Sequence, residues 1–185
     1  MLRTGRVISK ICVCVVALLL ANGVQASCEG VKESVIDGSE SDAPEVLYER
    51  GRHYEYGICV TRNDSTAIHW YSKAAEQGIA EAQYRLGVLY DNGWGSDVNA
   101  KLALKYYRMA AEQNYALAQH DLALMYHNAK GVKKDNVAAY QWIYIAVSQG
   151  NEIMREQMLR ISEEMSEQEI ATAREQAISW QSDSI

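Results

Sequence analysis

A pattern of 36 residues occurs three times in tandem between residues 45 and 152, and this repeat constrains the fold more than any other feature of the sequence. Equivalent positions carry the same or a similar residue in each copy, as in Gly51, Gly87 and Ala123; in Tyr54, Tyr90 and Tyr126; and in Ala74, Ala110 and Ala146. Periods of about 20 to 50 residues are typical of solenoids, in which stacked units bury their apolar faces against each other. The sequence therefore predicts three stacked units, at residues 45–80, 81–116 and 117–152.

Each unit has the apolar spacing of two short amphipathic helices. In the second unit, one apolar face is formed by Ala82, Leu86, Leu89 and Tyr90. The other is formed by Ala103, Tyr106, Tyr107 and Ala110. Both sets recur at intervals of three and four residues, which is the spacing of one helix face. Small residues at positions 87, 103 and 110 would let the two backbones approach closely.

Start and stop signals agree with this periodicity. The second helix of each unit is preceded by Asn63, Asn99 and Asp135 in turn. Side chains of these types accept hydrogen bonds from the amides of the first helical turn. The same helix is followed by Gly78, Asn114 and Gly150, the two residue types that best tolerate a left-handed helix end. We therefore expect each unit to be a helix-turn-helix.

These positions resemble the Sel-one-like repeat, a solenoid relative of the tetratricopeptide repeat. In the second unit the family pattern is matched by Ala82, Leu86, Gly87, Tyr90, Gly93, Gly95, Asn99, Ala103, Tyr106, Tyr107, Ala110, Ala111 and Asn114. The sequence departs from the pattern at Cys59 and Ala129, where the family has loop glycines, and at Ile143, where it has tyrosine. The resemblance covers residues 45–152 and implies an all-α, right-handed solenoid of three repeats.

The segments that flank the repeats have different characters. Residues 1–26 predict a secretory signal peptide, because basic residues precede an uncharged apolar run at 11–20 and small residues follow it. The run is shorter than the roughly 20 residues that a membrane-spanning helix needs. Residues 27–44 predict an acidic, irregular arm.

Residues 153–181 predict C-terminal capping helices. An apolar stripe is formed by Met154, Met158, Ile161 and Met165. Ser166 and Glu169 then have the spacing of a capping box, which predicts the start of a further helix. The last unit of a solenoid would otherwise expose its stacking face, so a cap is expected there.

Charge and cysteine content bear on the compartment and on the class of partner. Loss of the leader would remove three basic residues and change the formal net charge from −6 to −9, which argues against nucleic-acid binding. The remaining cysteines are Cys28 and Cys59, and in an oxidising compartment a disulfide would tie the arm to the first repeat. Two free thiols, or a lipid on Cys28, are the alternatives, although Gln25 disfavours lipid attachment.

The sequence lacks the common catalytic motifs. It contains no Gly-x-Ser-x-Gly, Ser-x-x-Lys or His-Glu-x-x-His segment, and its glycine pair at 93 and 95 is not followed by the lysine of a phosphate loop. His120 and His127 lie seven residues apart and could hold a metal together with Asp91 or Asn128. Polar side chains on a repeat surface explain them equally well, since zinc normally has a third protein ligand. We therefore expect no metal and no cofactor.

A solenoid of this kind offers a concave surface lined by the first helix of each pair. The positions that line it in tetratricopeptide relatives correspond here to three rows: Tyr48, Tyr84 and His120; Arg52, Val88 and Leu124; and Tyr56, Asn92 and Asn128. Glu55, Asp91 and His127 flank these rows. Tyrosine and arginine often anchor protein interfaces, so these residues are the candidate partner-binding groove. Ordinary solvated helix faces are the alternative interpretation.

The sequence thus favours a non-enzymatic adaptor or scaffold that binds a protein or peptide through the groove. The predicted leader indicates an exported protein, periplasmic or secreted, and the resemblance implies a role in an envelope-associated assembly. One alternative is an enzyme of cell-wall or β-lactam chemistry, of the kind linked to cysteine-rich members of the family. Another is a structural protein that associates with itself, and a glycan-binding groove also stays open.

Overall fold

The computed structural model describes residues 43–150 and 153–183. Within these residues the chain forms eight α-helices and no strand. In chain order the helices are α1 (Pro44–Tyr56), α2 (Asp64–Glu76), α3 (Ala80–Asn92), α4 (Ala100–Glu112), α5 (Ala116–His127), α6 (Asn136–Ser148), α7 (Ile153–Ser162) and α8 (Glu167–Asp183). The predicted all-α class is confirmed. The predicted signal peptide, Cys28 and nearly all of the acidic arm lie outside the described residues.

The helices form three pairs that stack in sequence order. α1 packs against α2, α3 against α4 and α5 against α6, and the pairs are joined by contacts of α2 with α3 and of α4 with α5. Equivalent helices begin 36 residues apart, at 44, 80 and 116 and again at 64, 100 and 136. This arrangement confirms the predicted solenoid of helix-turn-helix repeats. The first helix of each pair begins one residue before the predicted start of its unit.

Hydrogen bonds at the helix ends confirm the predicted capping residues. The side-chain oxygens of Asn63, Asn99 and Asp135 accept hydrogen bonds of 2.9, 3.0 and 2.9 Å from the amides three residues later. Gly78, Asn114 and Gly150 adopt left-handed conformations, with φ of 92°, 64° and 91°. Local chemistry therefore fixes both ends of the second helix in every repeat.

The two C-terminal helices cover the third repeat. Both α7 and α8 pack against α6, and Ala173 and Ala177 of α8 are fully buried. The ring of Trp180 meets that of Trp142 edge to face, with 5.4 Å between centroids. The predicted capping box is present at the start of α8. The backbone amide of Glu169 donates to the Ser166 hydroxyl, and the backbone amide of Ser166 donates to the Glu169 carboxylate. None of the described helices is long and apolar enough to cross a membrane.

The loops within the second and third repeats pack against the preceding repeat, and this contact requires glycine. A Cβ atom at Gly95 would collide with the backbone of Asp64 and Ser65 at the start of α2, and Ser65 Oγ donates to the Gly95 carbonyl at 2.7 Å. Gly131 has the same relation to Ala100 at the start of α4. Within the described residues no repeat precedes the first one, so the equivalent residue, Cys59, can carry a side chain at φ 60°.

The other departure from the loop pattern predicts a stabilising substitution. Ala129 has φ 55° at a position equivalent to Gly57 and Gly93, and a left-handed conformation costs a residue with a Cβ atom about 1–2 kcal/mol. Glycine would remove this cost, but its greater conformational freedom in the unfolded state offsets part of the gain. We therefore expect Ala129→Gly to raise the free energy of unfolding by about 0.5–1 kcal/mol. Ala171→Gly, at an exposed position inside helix α8, should instead lower it by about 1 kcal/mol. Urea unfolding measures both, and destabilisation by both substitutions would contradict the loop geometry.

Candidate functional site

A cavity of about 340 Å³ lies between the first helices of the second and third repeats, α3 and α5; we call it the groove cavity. Six of the residues predicted to form the groove line it: Tyr84, Val88, Asp91, Asn92, Leu124 and Asn128. Four further lining residues were not predicted: Tyr107, Asp121, Met125 and Lys130. The predicted surface thus contains a concave site at the junction of two repeats.

The other five predicted groove residues do not line this cavity. Tyr48, Arg52 and Tyr56 lie on α1, one repeat away. His120 Nδ1 lies 2.8 Å from Asp121, whereas His127 Nδ1 lies 3.1 Å from Asn136 Oδ1 at the start of α6. The two histidines therefore contact different partners, and no three of the described His, Cys, Asp and Glu residues come together as a metal site.

A buried ion pair joins the first two repeats. Glu55 of α1 is only 4% exposed and accepts hydrogen bonds from the Tyr71 hydroxyl at 2.6 Å and from Arg85 Nε at 3.0 Å. A terminal nitrogen of Arg85 donates to the other carboxylate oxygen. The same guanidinium lies over the ring of Tyr56, 5.3 Å from its centroid. A cation from α3 is thus held on a carboxylate from α1, beside two tyrosines.

The junction of the second and third repeats has equivalent positions that carry a different charge. Asp91 and Tyr107 stand 36 residues after Glu55 and Tyr71, so the carboxylate and the tyrosine recur. The residue 36 positions after Arg85, however, is an aspartate, Asp121. The junction that contains the groove cavity therefore has two carboxylates where the first junction has a carboxylate and an arginine.

A lysine and a histidine contact these carboxylates. Lys130 Nζ lies 2.7 Å from Asp91 Oδ1, and His120 Nδ1 lies 2.8 Å from Asp121 Oδ1. Lys130 is 45% exposed and follows the end of α5, and both members of its ion pair line the cavity. The sequence alone did not reveal Asp121 or Lys130, because their role depends on which side chains face each other across the repeat junction.

Burial of three tyrosines predicts sensitivity to alkali. Burial raises the pKa of Tyr71, Tyr84 and Tyr107, with nearby carboxylates adding to the effect. The folded state therefore keeps these protons, while tyrosine in the unfolded chain ionises near pH 10. Their contribution to stability is fully present below about pH 10 and is lost as the pH rises above it, by about 1 kcal/mol per tyrosine between pH 10 and 11. Urea unfolding at several pH values in this range gives the slope of the free energy of unfolding against pH. Tyr107→Phe should make this slope shallower than in the wild type. An identical slope in the two proteins would contradict the assignment to Tyr107.

A second cavity, of about 610 Å³, opens at the N-terminal end of the stack. It is lined by Tyr54, Gly57 and residues 59–63. In the second and third repeats, the equivalent loops are covered by the preceding repeat, through the close contacts of Gly95 and Gly131. Within the described residues no further unit packs on this cavity, which therefore marks the N-terminal stacking end of the first repeat.

Comparison with known families identifies the repeat. The family model described as Sel1 repeat matches residues 44–79, 80–115 and 116–151, which together make up more than half of the chain. The chain belongs to the Sel1 repeat family. Sel1-repeat proteins generally mediate protein–protein interactions and are typically non-catalytic scaffolds.

Two solved structures of longer proteins are similar to this chain. It is 30% identical to a Sel1 repeat protein from Oxalobacter formigenes, with a TM-score of 0.67, and the match covers 78% of this chain and 58% of that one. It is also 30% identical to a protective antigen of uropathogenic Escherichia coli strains that displays an SLR fold, with a TM-score of 0.66. That match covers 77% of this chain and 30% of the antigen, so the chain spans only part of both relatives. A comparison with curated proteins gives no match.

Proposed function

We propose that this Sel1-repeat protein is a non-catalytic adaptor that binds a protein partner in the groove cavity. The observation that carries the proposal is the open junction between α3 and α5, a cavity lined by aromatic and aliphatic side chains together with amides and charged groups. Val88 and Leu124 are half-buried in its wall, and Asn92 and Asn128 are exposed. Apolar side chains combined with exposed polar groups are the usual anatomy of a protein interface.

The size of the site favours a narrow partner segment. A cavity of about 340 Å³ is large enough for one or two side chains but not for a folded domain. Tyr84 supports this role, because its ring is held between Tyr107 and Tyr115, with centroids 5.8 and 5.2 Å away. Fixed aromatic rings lose little conformational entropy on binding. We therefore expect an extended peptide or a single helix to dock along α3 and α5.

Quantitative affinity purification tests the groove. We expect the double variant Asn92→Arg/Asn128→Arg to lose the specific partner, because it adds bulk and charge at the edge of the cavity. The matched control is Gln168→Arg/Gln176→Arg, which makes the same change in charge at exposed positions on α8. Partner recovery should fall at least about tenfold for the groove variant only, which corresponds to about 1.4 kcal/mol. Equal recovery with both variants would contradict the proposal.

The proposed location is the periplasm or the exterior of the cell, in an envelope-associated assembly. The basic and apolar pattern of residues 1–26 supports export. We propose that Cys59 forms a disulfide with Cys28, which would require an oxidising compartment.

Mass spectrometry of the protein purified from its producing cells tests the location and the disulfide together. The proposal predicts a mature chain that begins at Ser27 and contains no free thiol. Cys28→Ser should then leave Cys59 open to alkylation. A retained leader, or an alkylated Cys59 in the wild type, would contradict the proposed export or the disulfide.

A further inference from the structure

We propose that the groove cavity binds the side chain of an arginine from the partner, with its guanidinium held between Asp91 and Asp121. This inference rests on the proposed function and deepens it, because it names the chemistry that the groove recognises. The half-buried side chains of Val88 and Leu124 offer an apolar surface for the aliphatic part of the arginine. Both carboxylates line the same cavity.

The first repeat junction shows how this fold holds a guanidinium. Arg85 forms two hydrogen bonds with the carboxylate of Glu55, while Tyr71 donates to the same carboxylate and Tyr56 lies under the cation. Bidentate pairing of arginine with a carboxylate is among the stronger hydrogen-bonded contacts in proteins. Here the chain itself supplies the arginine, from the sixth residue of α3.

The second junction keeps the acceptors and replaces the cation. Asp91 and Tyr107 stand at the positions of Glu55 and Tyr71, and both line the groove cavity. The sixth residue of α5 is Asp121, so the chain supplies a second carboxylate instead of an arginine. An external guanidinium would thus find a carboxylate and a tyrosine at the positions equivalent to Glu55 and Tyr71, together with a second carboxylate.

An internal cation already contacts one of these acceptors without satisfying it. Lys130 Nζ lies 2.7 Å from Asp91 Oδ1, yet this enclosed oxygen accepts no hydrogen bond from the described part of the chain. The ammonium is therefore at ion-pair distance but is not aligned as a donor. Because Lys130 is 45% exposed, little packing holds it in place, and an incoming cation can displace it.

Arginine fits this geometry better than lysine does. A guanidinium carries five N–H donors in one plane, so it can reach carboxylates on two different helices at once. Asp121 is contacted by His120 at Oδ1, and an ionised carboxylate has room for several donors on its two oxygens. The acidic balance of the chain, −6 overall, also attracts a basic partner segment.

Titration with two small probes tests the inference by two-dimensional NMR of the full chain. The probes are N-acetyl-arginine amide and N-acetyl-citrulline amide, which have nearly the same shape but differ in charge. We expect saturable amide shifts around Asp91 and Asp121 with the arginine probe, at a Kd on the order of 1 mM for so small a ligand. The citrulline probe should produce no saturable shifts. Equal responses to both probes would overturn the inference.

Substitutions at the carboxylates separate binding from folding. Asp121→Asn should weaken binding of the arginine probe about tenfold, because a charge-assisted bond is lost, whereas Asp97→Asn, in an exposed loop, should have no effect. Asp121→Arg should abolish binding in a folded protein, since it places an arginine at the position equivalent to Arg85 in the first junction. Lys130→Gln should strengthen binding severalfold by removing the competing cation. Unchanged affinity in all three cavity variants would overturn the inference.

The outcome also separates this inference from the proposed function. If the edge variant Asn92→Arg/Asn128→Arg loses the partner but the arginine probe does not bind, the groove docks a partner through other chemistry, and only the arginine site is wrong. If the probe binds as expected but partner recovery is unchanged in that edge variant, the groove is not the docking surface, and the inference fails with the proposed function.

Discussion

Replacing Gly87 with alanine is expected to lower the free energy of unfolding by about 1–3 kcal/mol, the usual cost of overpacking a core. Gly87 of α3 lies against Tyr107 of α4, and a Cβ atom there would lie 2.5 Å from two carbons of the ring. Tyr107 is only 3% exposed, so its ring cannot move away without displacing its neighbours. Leucine at this position would collide more severely, and we expect Gly87→Leu to unfold the array cooperatively.

The third repeat provides a matched control for this prediction. Its equivalents of Gly87 and Tyr107 are Ala123 and Ile143, both fully buried. Gly87→Ala/Tyr107→Ile reproduces that combination, so it should lose clearly less stability than the sum of the two single variants. Urea unfolding of the three variants gives the coupling energy between the positions. Strictly additive losses would mean that residues 87 and 107 do not face each other.

Replacing Arg85 with methionine is expected to cost about 3 kcal/mol, because it leaves the carboxylate of Glu55 buried without its cation. We place the loss at the lower end of the range for buried pairs, since the Arg85 side chain is 21% exposed and water can partly replace it. The pair connects α1 with α3, so its loss should loosen the first repeat from the second. Urea unfolding at neutral pH gives the overall loss, and hydrogen exchange shows where it falls.

The double variant Glu55→Gln/Arg85→Met is the control for this effect. It removes the buried charge together with its partner, and its loss should be smaller than that of Arg85→Met alone. Amides of α1 should exchange faster in Arg85→Met than in the double variant. A double variant at least as unstable as Arg85→Met would mean that packing of the arginine side chain, rather than the unpaired carboxylate, accounts for the loss.

The fold could be predicted from the sequence because its determinants are local and repeated. A capping residue such as Asn99 and a left-handed position such as Asn114 act on the backbone within a few residues. Each appears three times at the same spacing, so a misleading residue in one copy is outweighed by the other two. The solenoid class then follows from helices of 12 or 13 residues that can bury their apolar faces only by stacking.

The groove could be predicted only in part, because its chemistry depends on contacts between repeats. Tyr84, Val88 and Leu124 follow from their register on the first helices, and they line the cavity. Tyr107 was predicted as a core residue of the second helix, yet it also forms part of the cavity wall. The partner of Asp91 is Lys130, which lies 39 positions along the chain, and no local pattern indicates such a pairing.

The loop residues show the same distinction. Cys59 and Ala129 are evident as departures from the repeat pattern, but the sequence does not show why each is tolerated. The structure explains Cys59 by the absence of a preceding repeat within the described residues, whereas Gly95 packs against backbone. It explains Ala129 only as a left-handed residue that carries strain.

Photo-crosslinking in the producing cells tests the central claim, that the groove cavity is the partner-binding surface, most directly. A photoreactive residue at Asn92 lies at the exposed edge of the cavity and does not disturb the packed ring of Tyr84, whereas the same residue at Lys105 of α4 lies outside the cavity lining. Our account predicts one dominant protein adduct from position 92 and no such adduct from position 105. The adduct from position 92 should disappear when Asn128→Arg is added. Adducts with the protein itself, or the same adduct from both positions, would contradict it.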